Sequence, residues 1–294
     1  MLQHLRILEP HPGILAFYDG RVDGHRFIKG PNWVDGGAIT LGIASYAVIS
    51  GSHALIYDTH VSVAHAGFIK ETLTAHGVTH FTVVLSHWHL DHVAGTEVFA
   101  DCEIIANNKT FAHLSEKRAD IEAGALEGPP AISPLVLPNQ MFDARKTVNI
   151  GSLSVEVIEA NIHSDDATVV WIKELGILLA GDTMEDTVTY VDEPQNFATH
   201  LADLDRLAAL DAQFILPNHG DPDIIASGGY GSGLIKAQKQ YIRTLERCRQ
   251  ELDLREKPLE DLISEPLSMG WVKLFEPYRE IHAENLERVV ALDT

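Results

Sequence analysis

The sequence has little cysteine. Its 294 residues include two, Cys102 and Cys248, which can form one disulfide at most. The N-terminus also lacks the basic stretch and following apolar segment that mark a secretory signal peptide. These absences favour a protein that works in the reducing cytoplasm.

Long hydrophobic runs are absent as well. A helix that crosses a bilayer needs roughly 18 apolar residues in succession, whereas the longest runs here, such as residues 176–180, have the length of a β-strand. Hydrophobic residues still make up 45% of the chain, which is ordinary for a globular protein and too much for a disordered one. The composition therefore excludes membrane insertion and predicts a folded protein with a substantial core.

Positive charge is also scarce. The chain has 22 Lys and Arg against 42 Asp and Glu, which gives a net charge of −20. Such a balance repels phosphate backbones unless basic residues gather on one face, and the sequence contains no basic run. We therefore expect a small-molecule substrate as the partner, with no nucleic acid and no membrane. A homo-oligomer stays open.

The length fits one large domain or two modest ones. No internal repeat, low-complexity tract or Ser/Gly linker divides the chain. We predict a single domain over residues 1–294, with a motif-bearing core at about 44–220 and a C-terminal helical extension at about 232–294.

Short apolar runs predict a series of β-strands. They cover residues 14–18, 44–49, 54–57, 81–85, 103–106, 153–160, 168–172, 177–180 and 214–216, with Gly-rich turns such as Asp35-Gly36-Gly37 between the early ones. Apolar residues at helical spacing predict helices at 61–76, 232–252 and 276–291. The Pro- and Gly-rich residues 122–140 predict a loop that forms a lid or wall.

The strongest motif directly follows the strand predicted at 81–85. It reads Ser86-His87-Trp88-His89-Leu90-Asp91-His92. Imidazole and carboxylate are the ligands that zinc and other first-row divalent metals prefer. A solvated His-rich turn would explain the composition, but not the position of the cluster at the end of a strand. The motif therefore predicts metal binding, with enough ligands in one short segment to serve two ions.

Three further candidate ligands each follow an apolar strand. They are His163, Asp182 after Gly181, and His219 within Pro217-Asn218-His219-Gly220. Taken singly, each has an ordinary interpretation as a cap, a turn residue or a loop imidazole. Together they place metal ligands at the ends of several strands.

In this order, the four motifs resemble those of the metallo-β-lactamase superfamily of metal-dependent hydrolases. The resemblance spans about residues 44–220 and implies an α/β fold, the αββα sandwich, in which helices face two packed sheets. By motif position, the first metal would be bound by His87, His89 and His163, and the second by Asp91, His92 and His219. Asp182 would bridge both ions. Asp58, at the end of an early strand, would orient ligand imidazoles or cap its strand.

The chemistry that follows is hydrolysis. Two divalent cations lower the pKa of a bridging water enough to give hydroxide near neutral pH and can polarise a carbonyl oxygen. A metal-bound hydroxide would then be the nucleophile, steered by the catalytic residues Asp91 and Asp182. Zinc is favoured, and iron or manganese remain open because no cysteine belongs to the ligand set.

Departures from the family pattern bear on the substrate. Asp165 and Asp166 follow His163, and Glu185 stands where some relatives have a cation or Tyr three residues after the bridging Asp. Asp165 and Asp166 are expected to cap a turn and form hydrogen bonds, as Asp commonly does. Alternatively, they repel anions: two divalent ions, two Asp ligands and one hydroxide sum to about +1, which these three carboxylates could cancel. We therefore expect a small ester, thioester or lactone that is neutral or weakly polar. Core packing is the default interpretation of Tyr278 and His282, and a half-buried strand position that of Tyr190, with the pocket wall as the alternative for all three.

Other functions remain open at this point. The same fold carries iron-dependent redox enzymes of the dioxygenase and diiron types, although no flavin-carrying domain is present in this sequence. A β-lactamase is less favoured because no substrate-carboxylate anchor is evident, and a phosphodiesterase or nuclease because of the charge of −20. A binding protein without catalysis is the least favoured, since the whole ligand set is intact.

Overall fold

The computed structural model describes residues 2–292. Its strands are β1 (Arg6–His11), β2 (Ile14–Asp19), β3 (Ile43–Ser50), β4 (His53–Tyr57), β5 (His80–Val84), β6 (Glu103–Asn107), β7 (Gln140–Phe142), β8 (Arg145–Ile150), β9 (Leu153–Glu159), β10 (Thr168–Ile172), β11 (Ile177–Gly181) and β12 (Phe214–Pro217). One sheet has the order β1-β2-β3-β4-β5-β6-β7, and the other has the order β12-β11-β10-β9-β8.

The helices flank these sheets. They are α1 (Val63–Ala75), α2 (Leu90–Val93), α3 (Asn108–Ala123), α4 (Phe197–Ala208), α5 (Pro222–Ala226), α6 (Gly233–Cys248), α7 (Leu252–Arg255), α8 (Leu259–Leu262), α9 (Ser264–Ser268) and α10 (Tyr278–Ala291). A π-helix at Val34–Ile39 and 3₁₀ turns at Thr96–Phe99, Lys173–Leu175 and Pro194–Asn196 complete the regular elements. Within residues 2–292, no helix is long and apolar enough to cross a membrane.

The period-two alternation of strand residues decides which layer each side chain joins. In β4, Leu55 and Tyr57 belong to the core shared with the second sheet and with α4, α6 and α10. Their neighbours Ala54 and Ile56 face the opposite side and pack with residues of α1 and α3. Two sheets therefore pack face to face with helices outside both, which confirms the predicted αββα architecture.

The predicted strands all form, with boundaries that differ by a residue or two. The helix predicted at 232–252 ends early, at Cys248, because Arg255 caps it by donating hydrogen bonds to the carbonyls of Cys248 at 2.5 Å and Arg249 at 2.6 Å. The helix predicted at 276–291 forms from Tyr278. The ends of the predicted single domain, residues 1, 293 and 294, lie outside the described residues.

The turn predicted at Asp35-Gly36-Gly37 is wrong. These residues belong to the π-helix, in which the Thr40 amide donates to the Asp35 carbonyl at 3.0 Å. Asp35 also accepts a hydrogen bond from the Phe27 amide, and Val34 and Ile39 are buried. Gly36 and Gly37 are compatible with a turn, but the helix forms here because it buries the flanking residues Val34 and Ile39.

Strand direction gathers the predicted ligands at one edge. Strands β4 and β5 run parallel, as do β11 and β12, while β10 is antiparallel to both β9 and β11. The carboxyl ends of β9, β11 and β12 therefore point the same way. His163, Asp182 and His219 come shortly after these three strand ends, as the His-rich motif comes after β5.

Close packing at Gly95 makes the segment after the His-rich motif sensitive to substitution. A Cβ at Gly95 would lie 2.3 Å from both the Ala66 Cβ of α1 and the Thr59 carbonyl oxygen. We expect Gly95→Ala to lower the free energy of unfolding by about 1–3 kcal/mol, the usual cost of overpacking. Urea titration in the presence of a chelator measures this change without a contribution from bound metal.

Gly67→Ala is the matched control for this prediction. Gly67 lies inside α1 next to Ala66, and nothing lies within 4 Å of the Cβ position. Alanine is favoured over glycine inside a helix, so this variant should gain roughly 0.5–1 kcal/mol. Equal stability of the Gly95→Ala variant and the unmodified chain would show that the close approach relaxes without cost.

Candidate metal centre

The His-rich motif changes backbone conformation halfway along. His89 is extended, with φ −62° and ψ 149°, and precedes the short helix α2 that carries Asp91 and His92. His87 and His89 thus extend from the end of the strand, whereas Asp91 and His92 extend from a helical turn. The Ser86 amide donates to Asp58 Oδ1 at 2.7 Å, which holds the start of the motif in place.

The other predicted ligands occupy tight turns. His163 has a left-handed φ of +72°, a conformation that non-glycine residues rarely adopt without supporting contacts. Gly181, before Asp182, has φ +57°, and a Cβ there would lie 2.7 Å from the Tyr57 hydroxyl. Glycine at 181 is therefore required both by the turn and by the close approach of β4.

Six of the seven predicted ligands come together as two groups. One contains the imidazoles of His87, His89 and His163, and the other contains Asp91, His92 and His219. In the first group, His163 Nε2 lies 3.0 Å from His89 Nδ1. In the second, Asp91 Oδ2 lies 3.5 Å from His92 Nε2 and 3.4 Å from His219 Nε2.

Asp182 lies between the two groups. Its Oδ2 atom is 3.6 Å from His87 Nε2 and 3.8 Å from His163 Nε2 in the first group. The same oxygen is 3.0 Å from His92 Nε2 and 3.4 Å from His219 Nε2 in the second. One carboxylate oxygen is therefore within reach of imidazoles from both groups.

Three of the imidazoles, those of His92, His219 and His163, are oriented by a contact to their second nitrogen. Asp58 Oδ2 lies 2.9 Å from His92 Nδ1 and also accepts from Asn218 Nδ2 at 2.5 Å. His219 Nδ1 contacts the Gly42 carbonyl at 2.7 Å, and His163 Nδ1 contacts the Tyr190 carbonyl at 3.0 Å. Such contacts fix which nitrogen points at a metal. Of the two predicted roles for Asp58, the orienting one matches the structure.

The centre contains buried polar atoms that lack partners. Among the described residues, His87 Nε2, His92 Nε2 and Asp182 Oδ1 are buried without a hydrogen bond. Unsatisfied buried polar atoms are costly, and native proteins usually contain few of them. A donor set of imidazole nitrogens and carboxylate oxygens suits zinc and related divalent metals, so the residues present fit metal ions at this position.

The protonation of the centre differs between its two halves. Burial lowers the pKa of His87 well below its usual value and lowers those of His89 and His163 to about 4, so these imidazoles are neutral. Burial alone would also lower the pKa values of His92 and His219, but nearby carboxylates, chiefly Asp182, raise both. Without metal, protons on these two imidazoles balance the buried carboxylates.

A cavity of about 570 Å³ opens above the centre. Its walls come from the segment around the π-helix, from Trp88, from Glu127 in the loop predicted as a wall, from Tyr190 and from α10. Tyr190 lines the cavity, which matches the pocket-wall alternative and not the strand position. Whether the loop moves as a lid stays a prediction.

Of the two interpretations of Tyr278 and His282, core packing matches the structure. Tyr278 is buried and donates to Glu185 Oε2 at 3.0 Å, and His282 Nδ1 lies 3.0 Å from the Tyr241 hydroxyl. Neither residue lines the cavity, so core packing accounts for both. The cavity face carries Glu280, Ile281, Glu284 and Arg288. The apolar spacing that predicted the helix identifies its buried side and leaves the polar side unassigned.

The three carboxylates that depart from the family pattern, Asp165, Asp166 and Glu185, lie in different surroundings. Asp165 Oδ1 pairs with His113 Nε2 at 2.8 Å, and Asp166 accepts a hydrogen bond from Ser164 at 2.7 Å. Neither lines the cavity, so these two residues match the hydrogen-bonding role and not the alternative in which they oppose the metal charge. Glu185 does line it, and burial together with the charge of Asp182 raises the pKa of Glu185 to about 7.

The C-terminal helices hold the loop that follows Asp182, a feature that the sequence analysis missed. Gln238 of α6 accepts from the Thr189 amide at 3.0 Å and donates to the Glu185 carbonyl at 2.5 Å. Asn285 of α10 accepts from the Val191 amide at 2.8 Å. The available signal was an amide side chain on the apolar face of each amphipathic helix, where an unpaired amide would be costly.

Comparison with known proteins places this centre in a family. The family model described as the metallo-beta-lactamase superfamily matches residues 39–219, more than half of the chain. An atrochrysone carboxyl ACP thioesterase from Passalora fulva is 27% identical over 167 residues, 53% of this chain and 44% of the relative. A beta-lactamase-like protein 2 homolog from Drosophila melanogaster is 27% identical over 199 residues, 63% of this chain and 61% of the relative. The chain therefore spans less than two thirds of the length of either relative.

Solved structures show the same fold. The DIM-1 metallo-beta-lactamase aligns with a TM-score of 0.59 and 21% identity over 82% of this chain and 97% of its own. The VMB-1 structure aligns with a TM-score of 0.59 and 16% identity over 82% of this chain and 98% of its own. The family match contains all seven predicted ligands, from His87 to His219. The chain belongs to the metallo-β-lactamase superfamily.

Proposed function

We propose that the chain is a dinuclear metal-dependent hydrolase that acts on a small-molecule ester, thioester or lactone. The observation that carries this proposal is the position of Asp182 Oδ2, within 3.8 Å of imidazoles from both ligand groups. A carboxylate in that position can bridge two cations. The first would be held by His87, His89 and His163, and the second by Asp91, His92 and His219.

The cavity favours water as the source of the attacking oxygen. Among the cavity-lining residues of the described chain, none is Ser or Cys. Bound metals would supply a water acidic enough to yield hydroxide near neutral pH and a Lewis acid for the substrate carbonyl. Asp91 reaches the cavity with 16% of its side chain exposed, so its carboxylate could steer the water by coordination or a hydrogen bond.

The identity of the metal follows from the ligands. All seven are His or Asp, with no thiolate, so the set suits zinc first and also accepts iron or manganese. We propose zinc at both positions. The name of the thioesterase relative supports acyl transfer to water as the reaction class.

The proposed partner is the small substrate itself. The charge of −20 disfavours nucleic acid, and the scarcity of cysteine favours the cytoplasm as the compartment. A homo-oligomer is compatible with these features, and none of them sets a number of subunits.

Metal content provides the first test of this proposal. We expect two metal ions per chain in active protein, loss of hydrolysis on treatment with a chelator, and recovery when zinc is restored. Elemental analysis and rate should be measured on the same preparation. An active protein with almost no metal would refute the proposal, and one ion per chain would favour the single-iron redox alternative.

Asp182→Asn provides the second test. The amide keeps the shape of the carboxylate but loses its charge, so it bridges two cations poorly. We expect an unchanged circular dichroism spectrum, metal content that falls toward one ion, and turnover about a hundredfold lower or more.

The control for Asp182→Asn is Asp165→Asn, which removes a carboxylate that pairs with His113 outside the cavity. This variant should keep both metals and most of the activity. Full activity with two metals in the Asp182 variant would show that Asp182 is an ordinary turn residue.

Nucleic-acid binding provides a third test. At physiological salt we expect no appreciable binding of duplex DNA or RNA, because the chain has too few cations to replace phosphate counterions. Fluorescence anisotropy with labelled duplexes measures this directly. Salt-sensitive binding at low micromolar protein would contradict the expectation and reopen the nuclease alternative.

A further inference from the structure

The cavity wall away from the metal ligands carries an excess of carboxylates. Four of its acidic residues belong neither to the ligand set nor to the buried loop after Asp182, namely Glu127, Asp192, Glu280 and Glu284. Apart from histidines, Arg288 is the one cation among the cavity-lining residues of the described chain. The wall therefore has a negative balance of its own.

Arg288 is already engaged within the protein. Its Nη1 atom donates to Asp192 Oδ1 at 3.0 Å, and its Nη2 atom hydrogen-bonds the Tyr190 hydroxyl. The guanidinium carbon also lies 4.8 Å from the centre of the Tyr190 ring. Arg288 and Asp192 thus compensate each other. Burial and the nearby carboxylates of Asp91 and Asp192 raise the pKa of Glu127 to about 7, so the exposed carboxylates of Glu280 and Glu284 set the charge of the wall.

Glu280 and Glu284 have no partner that would explain their position. Within residues 2–292, neither forms an ion pair or a side-chain hydrogen bond, and both are exposed. They lie four residues apart on α10, so they are neighbours on one face, and a like-charged pair at this spacing weakens an isolated helix. A cation outside the chain would relieve the repulsion.

The metal centre does not need these charges. Two divalent ions would bring four positive charges, which Asp91, Asp182, Glu185 and one hydroxide would balance. The carboxylates of Glu280 and Glu284 therefore remain in excess even with the centre filled.

Aromatic rings accompany the acidic wall. Trp33 and Trp88 both line the cavity, and Lys117 Nζ lies 4.8 Å from the centre of the Trp88 ring. The indole ring attracts cations through its electron-rich face. The backbone amide of Trp33 donates a hydrogen bond to the Pro129 carbonyl at 3.3 Å. This contact holds Trp33 next to the loop that carries Glu127.

We propose that this cavity selects substrates that carry a positively charged group, such as an alkylammonium, in the part of the molecule away from the scissile carbonyl. The inference rests on the proposed hydrolase function and specifies its substrate class. In the reaction, the bond from the carbonyl carbon to the leaving oxygen or sulfur breaks and a bond to water oxygen forms. One proton goes to the leaving group and the other is released from the new carboxylic acid. The cationic group takes no part in these steps and serves recognition alone.

A matched series of substrates tests the proposal. The acyl chain ends in a trimethylammonium group, in its neutral tert-butyl isostere or in a sulfonate, with the same leaving group throughout. At low salt, we expect kcat/KM for the cation to exceed that for the neutral ester about tenfold or more, with the anion slowest. Raising the salt concentration should reduce the differences in kcat/KM among the three substrates, because salt screens the attraction between the cationic group and the carboxylates of an open cavity.

A double variant identifies the residues responsible. Glu280→Gln with Glu284→Gln should reduce the preference for the cation over the neutral ester to about twofold. The control is Glu276→Gln with Glu287→Gln, which removes the same charge from the same segment at positions that do not line the cavity. This control should keep the full preference. Equal rates across the three charges, or an undiminished preference in the double variant, would overturn the proposal.

A binding measurement separates this inference from the hydrolase proposal. Calorimetry with the zinc-loaded protein compares butyltrimethylammonium with the neutral alcohol 4,4-dimethylpentan-1-ol. If no ester or thioester is hydrolysed by protein that holds two metals, the hydrolase proposal fails, and selective binding of the cation would still support the charge selection. If hydrolysis occurs and neither binding nor rate depends on charge, the selection fails and the hydrolase proposal stands.

Discussion

The structure of the site depends on the burial of one carboxylate. Asp182 is 4% exposed, and its Oδ2 atom lies among four imidazole nitrogens. A buried charge is stable only when opposite charges or strong donors surround it. His92 and His219 meet this need without metal, and metal ions would meet it by displacing those protons. The sheet edge, the Gly181 turn and the orienting contacts of Asp58 all serve to bring these groups together.

The C-terminal helices extend this arrangement beyond the region that defines the family. The family match ends at residue 219, whereas Gln238 and Asn285 bind the backbone of the loop that follows Asp182. The buried side of α10 thus fixes the loop, and its other side forms a wall of the cavity. One helix therefore connects the loop after the candidate ligand Asp182 with the wall of the cavity, so the proposed substrate selection would come from a segment outside the family match.

The ligands could be predicted from the sequence because strand ends are local signals. An apolar run followed by His or Asp marks a position on the sheet edge, and parallel strands bring such positions together without knowledge of side-chain packing. His113 illustrates the limit. Its pairing with Asp165 spans a helix and a turn 52 residues apart, and no local pattern encodes it. The partner of Asp165 and the residues of α10 that face the cavity both depend on long-range packing, so neither could be identified from the sequence.

The net charge of the chain likewise does not reveal where its individual carboxylates lie. The value of −20 describes the whole chain and disfavours polyanionic partners, but it does not tell an exposed surface carboxylate from one at a cavity mouth. Glu280 and Glu287 are both acidic residues of α10, yet one lines the cavity and the other does not. The difference arises from the 3.6-residue helical period combined with the burial of Tyr278 and Asn285, which fixes the rotation of the helix about its axis. The proposed charge selectivity therefore depends on the way α10 packs, since that packing decides which carboxylates of the helix line the cavity.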